Sequence, residues 1–169
     1  MKLIFINARK LSFLAFIIAI CSSVLTKYLI LNSYKAPFPD DGGMYIKEAK
    51  IWLGVDKWNT GPQFPPLSIL PVSLLLLFLD EFTALKIIAI IYSTFIAIPF
   101  YFLVKEITQS DFIPAIITSL ILFYPPYIKM IGWGNYAAYL GFSFICFSIY
   151  FLIKTFKQSS NTKILYSAL

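Results

Sequence analysis

Long apolar runs almost free of charge limit what this chain can become. The first, Leu11 to about Leu31, carries one charged side chain, Lys27. Three more follow, at about Thr83–Val104, Phe112–Ile128 and Asn135–Ile153. A helix of about 17–25 apolar residues crosses a hydrocarbon core of about 30 Å. Lipid offers no hydrogen bonds, so a spanning backbone must satisfy its own, and the α-helix does so. The expectation is an all-α, polytopic membrane protein with about four transmembrane helices. Composition agrees: 59% of residues are apolar and 13% charged, against about 45–50% and about 25% in soluble domains. Aromatic residues make up 18%, as suits spans and their interfaces.

The net charge is +6, but Lys and Arg gather at the ends of apolar runs. That pattern points to the lipid bilayer as partner and away from nucleic acid. The chain has no His, which excludes a His-centred metal site and a His base. Cys21 and Cys146 sit inside apolar runs and are expected to be buried, unreactive thiols. Lys2, Arg9 and Lys10 precede the first run without a cleavage pattern after it, so a retained signal-anchor is expected.

A fifth apolar stretch, Leu67–Leu79, is short for a span and contains Pro71. Charge gives a second test. If this stretch does not cross, Lys2, Arg9, Lys10, Lys105, Lys154, Lys157 and Lys163 share one side, which the positive-inside rule makes cytoplasmic. Four spans, with the N-terminus inside, are therefore expected. The large outer loop, residues 32–82, then holds six of the eight carboxylates: Asp40, Asp41, Glu48, Asp56, Asp80 and Glu81. A small outer loop lies around Pro125–Gly134. Lys27 and Lys86 are expected to snorkel to headgroups at the outer ends of their spans, and Pro99 to kink the second span. Ile164–Leu169 reads as the start of a further span, so the chain is expected to be a fragment of a longer one.

The outer loop opens with Pro37-Phe38-Pro39-Asp40-Asp41-Gly42-Gly43-Met44-Tyr45. Met44–Leu53 then has helical periodicity: Tyr45, Ile46, Ala49, Trp52 and Leu53 on one face, Lys47, Glu48 and Lys50 on the other. The expected element is a juxtamembrane amphipathic helix anchored by Trp52 and Trp58, with Asp41 able to serve as its N-cap. The same carboxylate, close to the bilayer, could deprotonate an acceptor hydroxyl. Gly61-Pro62-Gln63-Phe64-Pro65-Pro66-Leu67 forms a stiff return to the membrane.

Three stretches carry a family resemblance: Asp40-Asp41-Gly42-Gly43-Met44-Tyr45, Pro65-Pro66-Leu67, and Gly132-Trp133-Gly134-Asn135-Tyr136-Ala137. In this order and placement the chain resembles the N-terminal part of GT-C-fold membrane glycosyltransferases. That group includes the oligosaccharyltransferase and protein O-mannosyltransferase relatives, with archaeal members. The resemblance implies a polyprenyl-phosphate-linked sugar donor used on the outer face of the membrane. It implies Asp41 as the catalytic carboxylate, with Asp40 as the alternative, and Tyr45 and Asn135 of the matching stretches beside the substrates; Lys47, by its charge, is expected to attract the donor phosphate. Asn135 and Ala137 stand where the metal-using branch places acids, so the metal-independent branch is expected, with no metal and no cofactor. The missing C-terminal portion or a partner chain would complete the site.

A non-catalytic membrane protein or subunit keeping the fold is the alternative. A small transporter ranks last, because it predicts ionisable residues in mid-span, and the four runs show them only near their ends.

Overall fold

The computed structural model describes residues 2–33, 42–57, 63–132 and 134–167. All regular structure among them is helical: α1 (Lys2–Ser33), α2 (Gly42–Trp52), α3 (Pro66–Leu76), α4 (Glu81–Phe95), α5 (Ala97–Thr108), α6 (Ile113–Leu122), α7 (Pro125–Gly132) and α8 (Tyr136–Ser167). Three helical stretches are long and apolar enough to cross a membrane: Lys10–Ser33, Glu81–Thr108 and Tyr136–Gln158. The pair α6–α7, bent by 49°, is a fourth where it crosses as one broken span, giving three to four spans. The chain is a polytopic helical membrane protein, and its large side chains face outward accordingly. Leu11, Phe13, Leu14, Leu25 and Leu29 of α1 are more than half exposed on the bundle surface, where lipid would cover them.

Side-chain contacts fix the directions of the spans. Lys86 donates to Asn32 Oδ1 at 2.9 Å, so the end of α1 meets the start of α4. At the far end, Phe16 packs on Tyr101 with centroids 4.3 Å apart, and the Ser12 hydroxyl donates to the Asp111 carbonyl. Phe147 of α8 lies beside Phe95, Tyr150 beside Phe102, and Lys157 pairs with Glu106 at 2.7 Å. The start of α1, the α5–α6 turn and Lys157 therefore gather at one end, the lysine end. The end of α1 and the starts of α4 and α8 gather at the other, the loop end. This is the expected four-span arrangement.

Each break has a local cause. Pro99 has no N–H to give the Phe95 carbonyl, and the second span breaks at Ile96 between α4 and α5. Pro125 and Pro126 stop α6 and start α7. The expected small loop at Pro125–Gly134 is thus mostly helix, and it belongs to the third span. Ile164–Ser167 continues α8, which runs unbroken from Tyr136 to Ser167. Helix α4 is capped by Asp80, which accepts from the N–H groups of Phe82 (3.1 Å) and Thr83 (3.0 Å). The Thr83 hydroxyl first, and then these N–H groups, hold the Asp80 carboxyl below the usual carboxylate range by hydrogen bonding to its charged form.

Helix α3 does not cross, as its length implied. It returns on the first half of α4, with its start level with Tyr92 and its end just before Glu81. Tyr92 lies eleven positions after Glu81, which is about 16 Å along a helix. Pro71 leaves the Leu67 carbonyl without its helical donor. The Tyr92 hydroxyl lies 3.4 Å from that carbonyl and donates to the Ser68 carbonyl at 3.1 Å.

Candidate functional site

The loop end carries the larger of two cores. It includes Leu31, Tyr45, Ile69, Tyr92, Ile131 and Tyr136. Helix α2 begins at Gly42, the residue after Asp41. Asp40 and Asp41 themselves lie outside the described residues, as do Lys35, Trp58 and Trp133. Helix α2 ends in a Schellman motif: Val55 N–H reaches the Lys50 carbonyl and Gly54 N–H the Ile51 carbonyl, both at 2.9 Å. Gly54 takes φ 73°, a conformation that costs glycine nothing.

Tyr45 is fully buried. Its ring stacks on Phe64 at 4.0 Å and tilts against Tyr136 at 5.1 Å. Its hydroxyl accepts from the Ala137 N–H at 2.8 Å. That N–H is in the first turn of α8 and has no intrahelical partner. Tyr45 thus caps α8 from another helix. The residue expected to touch substrate instead joins three stretches: its own, the Phe64-Pro65-Pro66 return, and Tyr136-Ala137. Lys47 and Asn135, its companions in that expectation, are both exposed.

Glu48 corrects the expected polar face of α2. It is 5% exposed, and its carboxylate accepts from the backbone N–H groups of Gln63 and Phe64. The spacing held the signal: Glu48 follows Tyr45 by three positions, so the two share a face. Trp52, expected beside Tyr45, is 43% exposed and remains available as an interfacial anchor. Lys50 pairs with Glu81 across a cleft of about 610 Å³, whose floor is formed by Ile46, Leu53, Leu76 and Leu79. At the lysine end a smaller cavity of about 400 Å³ lies between Lys105, Glu106, Asp111 and Tyr150.

Two further expectations are corrected inside the spans. Lys27 does not snorkel. It is 1% exposed, and its amine donates to the Ser93 carbonyl at 2.8 Å and to Thr94 Oγ1 at 3.3 Å. Its direction is set by acceptors on α4, which the sequence position alone does not reveal. Lys86 does stay near the loop end, over the Phe82 ring at 4.2 Å. Cys21 is exposed on the bundle surface of α1 and Cys146 is half-buried, so neither is enclosed by protein alone. Among the described residues no three His, Cys, Asp or Glu side chains gather as a metal site would require.

No protein-family model, curated protein or solved structure matches the chain.

Proposed function

We propose that this chain is the membrane portion of a GT-C-type glycosyltransferase. It would use a polyprenyl-phosphate-linked sugar at the loop end, with that end on the outer face and the N-terminus in the cytoplasm. The observation that carries the reading is the convergence at Tyr45. The three stretches that resemble the family lie far apart in sequence, yet Tyr45 touches Phe64 beside Pro65, and Tyr136 and Ala137. A resemblance made of unrelated coincidences would have no reason to meet at one side chain.

In the reaction this reading implies, Asp41, or Asp40 in its place, takes the proton of an acceptor hydroxyl. The hydroxyl oxygen bonds to the anomeric carbon, the sugar–phosphate bond breaks, and the polyprenyl phosphate leaves with the electron pair. General-base catalysis of this kind contributes about 10²–10⁴-fold. The buried Lys27 is the one observation that favours transport. Neither cavity described above includes it, so glycosyl transfer remains the better-supported reading.

The test is Asp41→Asn, with Asp40→Asn beside it, in the full-length natural chain. The substrates are polyprenyl-phosphate sugars radiolabelled in the sugar. Asn caps a helix as well as Asp, so a capping residue would tolerate the change. The expected result is transfer lowered about 10²-fold or more by one of the two substitutions, with the folded protein retained. Undiminished transfer by both variants would remove the carboxylates from the chemistry.

A further inference from the structure

Lys27 sits where a charged group is costly. Its acceptor Ser93 is twelve positions into the Glu81–Thr108 span, about 18 Å along a helix from the loop end. Ion pairing does not compensate it, since no carboxylate pairs with Lys27 among the described residues. Neutral acceptors compensate it instead: the Ser93 carbonyl, Thr94 Oγ1, and the face of the Tyr127 ring at 5.7 Å.

The place of that carbonyl is informative. Ser93 lies three residues before the α4–α5 break at Ile96. The Tyr127 hydroxyl donates to the same carbonyl at 3.1 Å, and Tyr127 lies just beyond the α6–α7 break. The Tyr139 hydroxyl of α8 donates in turn to the Tyr127 carbonyl. Two broken spans therefore meet at one acceptor, with α1 and α8 tied to the same node. Helix α7 has only eight residues, too few to be stable without tertiary contacts. Its far end carries Ile131 into the core beside Tyr45, and the chain continues to Ala137, which Tyr45 caps.

We propose that Lys27 is a positioning residue. By sharing the Ser93 carbonyl with Tyr127 it fixes α7 against α4, and with it the chain that leads on to Ala137 under Tyr45 of α2. The node stands on geometry alone; its importance for transfer rests on the reading above. An amine in this place is a directional donor, so an apolar side chain of equal length fills the space without holding Tyr127 in register. Removing a buried ionisable group need not destabilise a protein. Loss of position and loss of stability therefore separate.

Spin labels at Lys47→Cys and Pro126→Cys, in a full-length chain with Cys21 and Cys146 replaced by Ala, report the α2–α7 distance in bilayers. The parent should give one narrow distribution. Lys27→Met should broaden and shift it, without a matching fall in melting temperature. Tyr127→Phe should do so to a lesser degree. In Lys27→Ala, n-propylammonium should restore part of the narrow population. A distribution unchanged in both Lys27→Met and Tyr127→Phe would overturn the proposal; should Lys27→Met fail to fold, Tyr127→Phe decides. A changed distribution in a chain that proves inactive would leave the node standing and refute only the transferase reading.

Discussion

The two ends of this bundle are built differently. The loop end and the half of the bundle beneath it are joined by buried polar contacts: Tyr45 to Ala137, Glu48 to the Gln63–Phe64 backbone, Tyr92 to Ser68, Lys27 and Tyr127 to Ser93. The lysine end has a small core of Phe16, Ala97, Tyr101, Ala115 and Leu122. Its rim is closed by partly exposed ion pairs, Lys105–Asp111 at 3.3 Å and Lys157–Glu106 at 2.7 Å. Burying polar groups is costly unless each finds a partner, whereas exposed ion pairs contribute little. The loop end has the specific, high-stakes construction expected of a site, and the lysine end that of a closure.

The sharpest way to break this comparison is topological. Single cysteines at Lys47 and Lys157, in a background without Cys21 and Cys146, should respond oppositely to an impermeant thiol reagent. Lys47→Cys should label from outside and Lys157→Cys only after permeabilisation. Labelling of both from one side would dissolve the two-ended description. Next in size is Tyr45. Tyr45→Ala should cost about 3–5 kcal/mol, and Tyr45→Phe about 1–3 kcal/mol by leaving the Ala137 N–H unpaired. Reversible unfolding in bicelles would read both; a neutral Tyr45→Phe would show that the hydroxyl does not cap α8.

Glu48→Ala should cost about 1–3 kcal/mol in the same assay, because two backbone donors lose their acceptor. Breaking the lysine-end pair with Lys157→Ala should cost at most about 1 kcal/mol, and less in high salt. Equal costs at the two ends would erase the distinction. The smallest effect is the Asp80 cap. Its folded carboxyl titrates below the ordinary range, so its contribution is present above the unfolded value, about pH 4, and is lost as pH falls through the lower folded value. Melting curves between neutral and acidic pH should show this loss in the parent and not in Asp80→Asn.

Spans were legible in the sequence because lipid imposes a simple length rule. Three of the four apolar runs became helices long enough to cross, the fourth became the bent pair α6–α7, and the eleven-residue α3 stayed short of a span. The shared side of the N-terminus, Lys105 and Lys157 was legible from charge. Partners across helices were not. Nothing local to Lys27 says that Ser93 will stand opposite, so the general tendency of lysine to snorkel was the natural expectation. Proline was read as punctuation, which located the breaks near Pro99 and Pro125 but missed that Pro125-Pro126 would restart a helix inside the span. For Tyr45 the motif was visible while its use was not, because a buried capping hydroxyl depends on where α8 begins. Asp40 and Asp41 remain residues known by their sequence pattern and by their position directly ahead of α2.

The proline-bearing α3 has a consequence for biogenesis. With eleven residues it is too short for stable insertion as a span, and Pro71 strips a hydrogen bond from its own backbone in a place where water cannot replace it. The donor for the Leu67 and Ser68 carbonyls comes from Tyr92, twenty-one residues further along the chain from Pro71. During synthesis α3 therefore emerges before the group that makes it tolerable in lipid. Its backbone is completed only once α4 stands against it.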